Sequence, residues 1–132
     1  MPRAPRNPAD LVLHTTMRQP ISFPDLTEHM ALRLSAVSGY TAPAHFGMWH
    51  RRFGAPDFSD PAAVFTPLVF VDVETSDLPA NPETRFVVRG ETHLGRVLDA
   101  AGATRLLVRE GRHMITDAQR RVVAEARYVN AF

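Results

Sequence analysis

The chain has 132 residues, enough for one domain with a sizeable core, and its 15 basic and 14 acidic side chains leave a formal charge of +1, so no polyanionic partner is implied. The absence of cysteine removes disulfides, thiolate metal sites and cysteine nucleophiles. Every basic residue is arginine, which removes lysine Schiff-base chemistry but leaves groups that bind phosphate or carboxylate in a bidentate manner.

Residues 1–10 carry three prolines and few large apolar groups, and are expected to form a flexible tail ahead of one domain over 11–132. The apolar run Leu11 to Leu13 is too short for a signal-peptide core, and no run approaches membrane-spanning length. A cytoplasmic protein without membrane contact is the expectation. Leu11, Leu13, Thr15 and Met17 alternate with Val12, His14, Thr16 and Arg18, which predicts a first strand whose exit is bracketed by Pro20 and Pro24. Asp25 and Glu28 then stand at capping-box spacing. Leu26, Met30, Leu34 and Val37 repeat at helical period and Gly39 supplies a stop, so the central helix is predicted over 25–37. From Tyr40 to Pro61 no period is sustained, and the segment reads as a long loop of the kind that covers a binding site.

The second half alternates in long stretches. Strands are predicted over 64–74, 85–98, 104–115 and 121–132, joined by short turns as an antiparallel meander. Phe86, Val88, Thr92, Leu94 and Leu98 share one face, as do Val122, Ala124, Ala126, Tyr128 and Phe132. Gly90 and Gly95 suggest a bend or bulge. The fold class is therefore α+β, one central helix wrapped by a curved antiparallel sheet. A single sheet of this size calls for a partner to cover it, and a homodimer or higher homo-oligomer is expected.

That order of elements resembles the hot-dog fold, over nearly the whole chain. The segment Pro20-Ile21-Ser22-Phe23-Pro24-Asp25-Leu26-Thr27-Glu28-His29 resembles the helix entry in hot-dog proteins of natural-product pathways, including the leinamycin-type acyltransferase/decarboxylase group. The bias toward Arg, Ala, Val and Pro fits a GC-rich bacterial coding sequence. The resemblance implies binding of an acyl or polyketide thioester carried on coenzyme A or acyl carrier protein. The glycine-aspartate-tryptophan run of the leinamycin-type group is missing, so that group's reaction is not implied.

On this resemblance the lead activity is thioester hydrolysis. Dehydration or isomerisation, acyl transfer with decarboxylation, a non-catalytic acyl-binding role and a ketosteroid-isomerase-like cone fold stand as alternatives. A thioester carbonyl needs donors aimed at its oxygen, which the free N–H groups of a helix start supply. Placed at the predicted start, Asp25, Glu28 and His29 are the catalytic candidates, with Glu28 first as the base or nucleophile. Tyr40, His45, Trp49, His50 and Arg51, at or in the expected lid, are the substrate-binding candidates. Asp72 and Glu74 share a strand face and could form a proton-transfer pair, although a strand end running into solvent explains them more simply. The six histidines lack metal-ligand spacing, and neither metal nor cofactor is expected.

Overall fold

The computed structural model describes residues 11–53, 70–98, 100–102 and 104–131. The expected tail, residues 54–61 of the expected loop, residues 64–69 of the second predicted strand and Phe132 lie outside the described residues. Among the described residues five strands, β1 (Leu11–Pro20), β2 (Phe70–Thr75), β3 (Arg85–Leu98), β4 (Thr104–Thr116) and β5 (Val122–Ala131), form one sheet in the order β1-β3-β4-β5-β2. Every pairing is antiparallel. Among the same residues one α-helix, α1 (Val37–Phe53), packs against this sheet. The arrangement is an α+β roll like the hot-dog fold.

Alternation within the strands sets the two faces of the sheet. Phe86 and Val88 of β3, Ile115 of β4 and Ala124 and Ala126 of β5 point toward α1, each at most 2% exposed, and form the apolar core with Val37, Tyr40 and Ala44. Arg89, Arg112, Glu125 and Arg127 occupy the intervening positions on the opposite face. Strand β1 pairs with β3 from Leu11 opposite Leu94 to Pro20 opposite Arg85. Proline has no N–H for a ladder, which suits its place at the end of an edge strand.

The central helix lies twelve residues later than the sequence pattern predicts. Instead of a helix, residues 23–36 form two short 3-10 turns, Phe23–Asp25 and Leu34–Ala36, around a tight reversal in which Leu26 bridges Leu32. The Thr27 hydroxyl accepts from the amides of His29 and Ala31, and Met30 adopts a left-handed φ of 67°, which no helix interior accepts. The expected capping box is not made: Asp25 Oδ2 accepts instead from the Tyr40 hydroxyl, at 2.7 Å. Leu34 is exposed, so the apparent apolar stripe through it does not exist.

Helix α1 runs through much of the segment expected to be a loop, despite Gly39, Pro43 and Gly47 within it. Pro43 and Gly47 cost about 4 kcal/mol relative to alanine by intrinsic propensity. Burial offsets this. Val37, Tyr40, Thr41, Ala44, His45 and Met48 fall at i, i+3, i+4, i+7, i+8 and i+11 and are all buried, and side chains as large as Val37, Tyr40 and Met48 each contribute about 1.5–3 kcal/mol when covered.

Two further expectations are corrected. The meander comprises β3, β4 and β5, whereas β2 crosses to the far edge and pairs with β5 rather than β3. Gly90 and Gly95 interrupt no register; the β3–β4 irregularity lies at Val97/Leu98. Strand β2 itself carries a bulge between Phe70 and Asp72. The bulge turns Phe70 toward Tyr128 and Asp72 outward to an ion pair with Arg127, at 3.2 Å. Phe70 and Asp72 therefore do not share a face.

Candidate active site

Along the inner face, the apolar core gives way to polar side chains at one end. On β3 the series Phe86, Val88 continues as Gly90 and Thr92; on β4 Ile115 is followed backward by His113, Gly111 and Arg109; on β5 Ala124 and Ala126 lead to Tyr128. His45 and Trp49, one turn apart on α1, meet these residues from the other side. Thr92, His45 and His113 are fully buried, and Arg109 and Tyr128 are 2% exposed.

The hydrogen-bond chain begins at Thr92, whose hydroxyl shares a short bond with the Tyr128 hydroxyl. The latter lies 3.1 Å from His45 Nδ1. Thr92 donating to Tyr128, and Tyr128 to Nδ1, satisfies every hydroxyl and leaves the imidazole proton on Nε2; this tautomer is assigned from the network. His45 Nε2 and both ring nitrogens of His113 are buried with no hydrogen-bond partner among the described residues. Leaving such a group unsatisfied costs about 1–3 kcal/mol. His113 lies against Tyr128 and His45, with ring centroids 5.2 and 5.7 Å away. The Arg109 guanidinium sits 5.1 Å from the Trp49 ring centre, and His45 stacks on the same indole at 6.0 Å. A buried arginine over an indole is a cation–π pair.

Two glycines make room for these rings. A Cβ on Gly90 would stand 2.6 Å from His113 Nε2, and one on Gly111 would stand 2.7 Å from the Tyr128 hydroxyl. A side chain at position 90 would displace the His113 ring, whereas one at position 111 would collide first with the backbone carbonyl oxygen of Glu91 and then with the Tyr128 hydroxyl. The glycine at position 90 accommodates His113 rather than bending the strand.

Burial dominates the electrostatics. It lowers His45 to a pKa of about 3, helped by the charge of Arg109 and by His113, and it lowers His113 to about 4. Burial pushes Tyr128 up to about 12, against the opposing effects of the Thr92 hydrogen bond and Arg109. At neutral pH the cluster thus holds two neutral imidazoles, a protonated phenol and one guanidinium. It combines hydrogen-bond donors and acceptors with a single positive charge, shielded from water. Such a set can polarise a carbonyl oxygen and move a proton beside it.

The structure brings His45 and Trp49 together and separates them from the other sequence-derived candidates. Glu28 and His29 stand on the surface, with side chains 87% and 84% exposed, paired with each other at 3.5 Å. They do not flank a helix start, so the argument that placed a carbonyl beside them does not apply to this fold. Asp25 and Tyr40 bond to each other, and the Ser22 amide donates to the Tyr40 hydroxyl, tying the segment before the helix to its first turn. His50 and Arg51 are exposed. Thr92, Arg109 and His113 were not singled out by the sequence pattern. The available signal was β4, where Arg109 and His113 alternate with Glu110 and Arg112, so both faces of a central strand carry polar groups.

A groove of about 670 Å³ lies across the sheet from α1, where Glu91, His93, Glu110, Arg112 and Arg127 line it beside Val129, with Gly111 and Tyr128 at its floor. It is open and its charges are largely matched: His93 with Glu91 at 3.4 Å, Arg112 with Glu125 at 3.3 Å, Arg127 with Asp72. A solvated ion-pair face explains it without a ligand. Among the described residues no group of three or more histidine, aspartate or glutamate side chains could hold a metal ion, and no helix is long and apolar enough to cross a membrane. Comparison with protein-family models, curated proteins and solved structures finds no match to this chain.

Proposed function

We propose that this chain acts on an acyl or polyketide thioester, carried on coenzyme A or acyl carrier protein in bacterial natural-product biosynthesis, with the cluster under α1 as its reaction centre. The observation that carries this reading is the replacement of apolar packing by His45, Thr92, Arg109, His113 and Tyr128 at one end of an otherwise apolar inner face. Holding these groups in a core costs stability, and fold economy alone does not account for them. The hot-dog-like roll supplies the substrate class by analogy of fold.

In this reading Arg109 polarises the thioester carbonyl, and the Tyr128 hydroxyl, oriented by Thr92, takes up the substrate proton as it passes its own to His45 Nδ1, the ring nitrogen that carries none. Proton removal from the carbon next to the carbonyl leads to dehydration or isomerisation; removal from water leads to hydrolysis. The full burial of His45 favours transfer within the acyl chain over attack by water. A homodimer or larger homo-oligomer remains part of the proposal, since β1 and β2 leave two sheet edges.

The test is a panel of acyl-coenzyme A and acyl-pantetheine substrates assayed for thiol release, with mass spectrometry of the acyl group, on wild type and His45→Asn. With the thiol retained, a changed acyl mass identifies dehydration or decarboxylation, and an unchanged mass with an altered acyl NMR spectrum identifies isomerisation, in each case reduced about 100-fold or more in the variant when the reaction occurs at this centre. Thiol release lost in the variant identifies hydrolysis. Turnover that survives His45→Asn at full rate removes the cluster from the reaction, and binding without turnover marks an acyl-binding protein.

A further inference from the structure

The reading above uses Arg109, His45, Tyr128 and Thr92 but leaves His113 without a task. Its position is costly to maintain. The ring is fully buried, both nitrogens lack partners among the described residues, and the opposing strand carries glycine at position 90 where any other residue would collide with it. A leucine or phenylalanine would fill the same space without an unsatisfied polar group.

Resting on the thioester reading, we infer that His113 is a specificity-determining residue that binds a neutral oxygen substituent, a hydroxyl or keto group, on the acyl chain held between α1 and the sheet. A neutral imidazole presents one donor and one acceptor, the complement of a hydroxyl and, through the donor alone, of a ketone. Beside it the unpartnered Nε2 of His45 adds a second hydrogen-bonding atom, the two rings being 5.7 Å apart. A cationic substituent is disfavoured by Arg109, whose charge lies in the same enclosed cluster. A plain alkyl chain would bury these nitrogens without satisfying them. The selected class is an oxygenated, polyketide-like chain over a saturated fatty acyl chain.

In this proposal the chain is admitted by displacement of the helix. Pro43 removes one backbone donor and Gly47 weakens the following turn, so α1 is held over the cluster by side-chain packing more than by its own propensity. Small displacements of the Ala44–Trp49 segment therefore cost less than they would in an alanine-rich helix.

The test is calorimetric titration of the full chain with three pantetheine analogues in which an amide replaces the thioester: hexanoyl, 3-hydroxyhexanoyl and 5-hydroxyhexanoyl. At least one hydroxylated analogue is expected to bind roughly 10-fold or more tightly than hexanoyl. His113→Phe is expected to abolish that preference while retaining hexanoyl binding. Ring-nitrogen NMR of the wild-type chain gives a readout independent of whether the variant folds: the His113 resonances shift with the preferred hydroxylated analogue and not with hexanoyl. Equal binding of all three overturns the inference and leaves the thioester reading standing. A preference that persists in His113→Phe, or His113 resonances that do not respond to the hydroxylated analogue, also overturns it. Failure of all three to bind overturns both.

Discussion

The two ends of the inner sheet face lie under the same helix and are built from the same three strands, yet they follow opposite rules. At one end Phe86, Val88, Ile115, Ala124 and Ala126 meet Val37, Tyr40 and Ala44, and the contact is apolar, with Tyr40 and Phe86 edge to face at 5.3 Å. At the other, Thr92, Arg109, His113 and Tyr128 meet His45 and Trp49. The first end contributes stability through area removed from water; the second spends part of that stability on desolvated polar groups. The difference separates the packing that stabilises the fold from a polar cluster that costs it stability.

The contrast can be broken most sharply at the apolar end. Phe86→Ala removes a fully buried ring and is expected to destabilise the fold by about 3–5 kcal/mol in urea unfolding. A cost below about 1 kcal/mol would mean that the core does not lie there.

Acid should act on the polar end. With folded-state pKa values of about 3 and 4, His45 and His113 stay neutral while an unfolded histidine titrates near 6.5. Below that value the unfolded state takes up more protons than the folded one. The stability these groups allow is therefore complete above about pH 6.5 and falls as the pH drops toward about 4, by roughly 1 kcal/mol per pH unit for each histidine. Urea midpoints at pH 7 and pH 4.5 measure the loss, and His113→Phe should flatten the slope by about half.

At neutral pH the same His113→Phe variant is expected to match or exceed wild-type stability, by up to about 1 kcal/mol, because it replaces unsatisfied polar atoms with an apolar ring of similar outline. A loss of several kcal/mol would show that His113 has a structural partner. The smallest effect belongs to the surface: Glu28→Gln should change stability by less than about 0.5 kcal/mol and leave turnover intact, since the side chain is 87% exposed. Loss of turnover in that variant would return the reaction to the segment before the helix.

Much of the sheet was legible because a two-residue period survives in any context that buries one face. Strand β3 was expected over 85–98 and spans Arg85–Leu98, and β4 and β5 match their expected ranges to within about one residue at each end. The helix was misplaced for a specific reason. Residues 25–37 offer an apolar repeat and a cap-like acid with no proline after Asp25, whereas α1 contains Gly39, Pro43 and Gly47 and places polar Thr41 and His45 inside its buried stripe. Those two residues hid the helical period. One of them, His45, is central to the candidate site, so a residue that obscured the helical period also belongs to the buried polar cluster.

The sequence by itself determined the α+β class, the faces of β3, β4 and β5, and the exclusion of cysteine and lysine chemistry, because these depend on composition and on local alternation. Only the tertiary structure decided that the helix forms over 37–53, that β2 joins the far edge beside β5, and that His45, Thr92, Arg109, His113 and Tyr128 converge. These residues are spread over 84 positions of the chain, with hydrogen-bonded His45 and Tyr128 alone 83 apart. No local period encodes such a meeting. It follows from the register that sets His113 opposite Gly90 and Tyr128 opposite Gly111, and from a helix stabilised by burial against its own propensity.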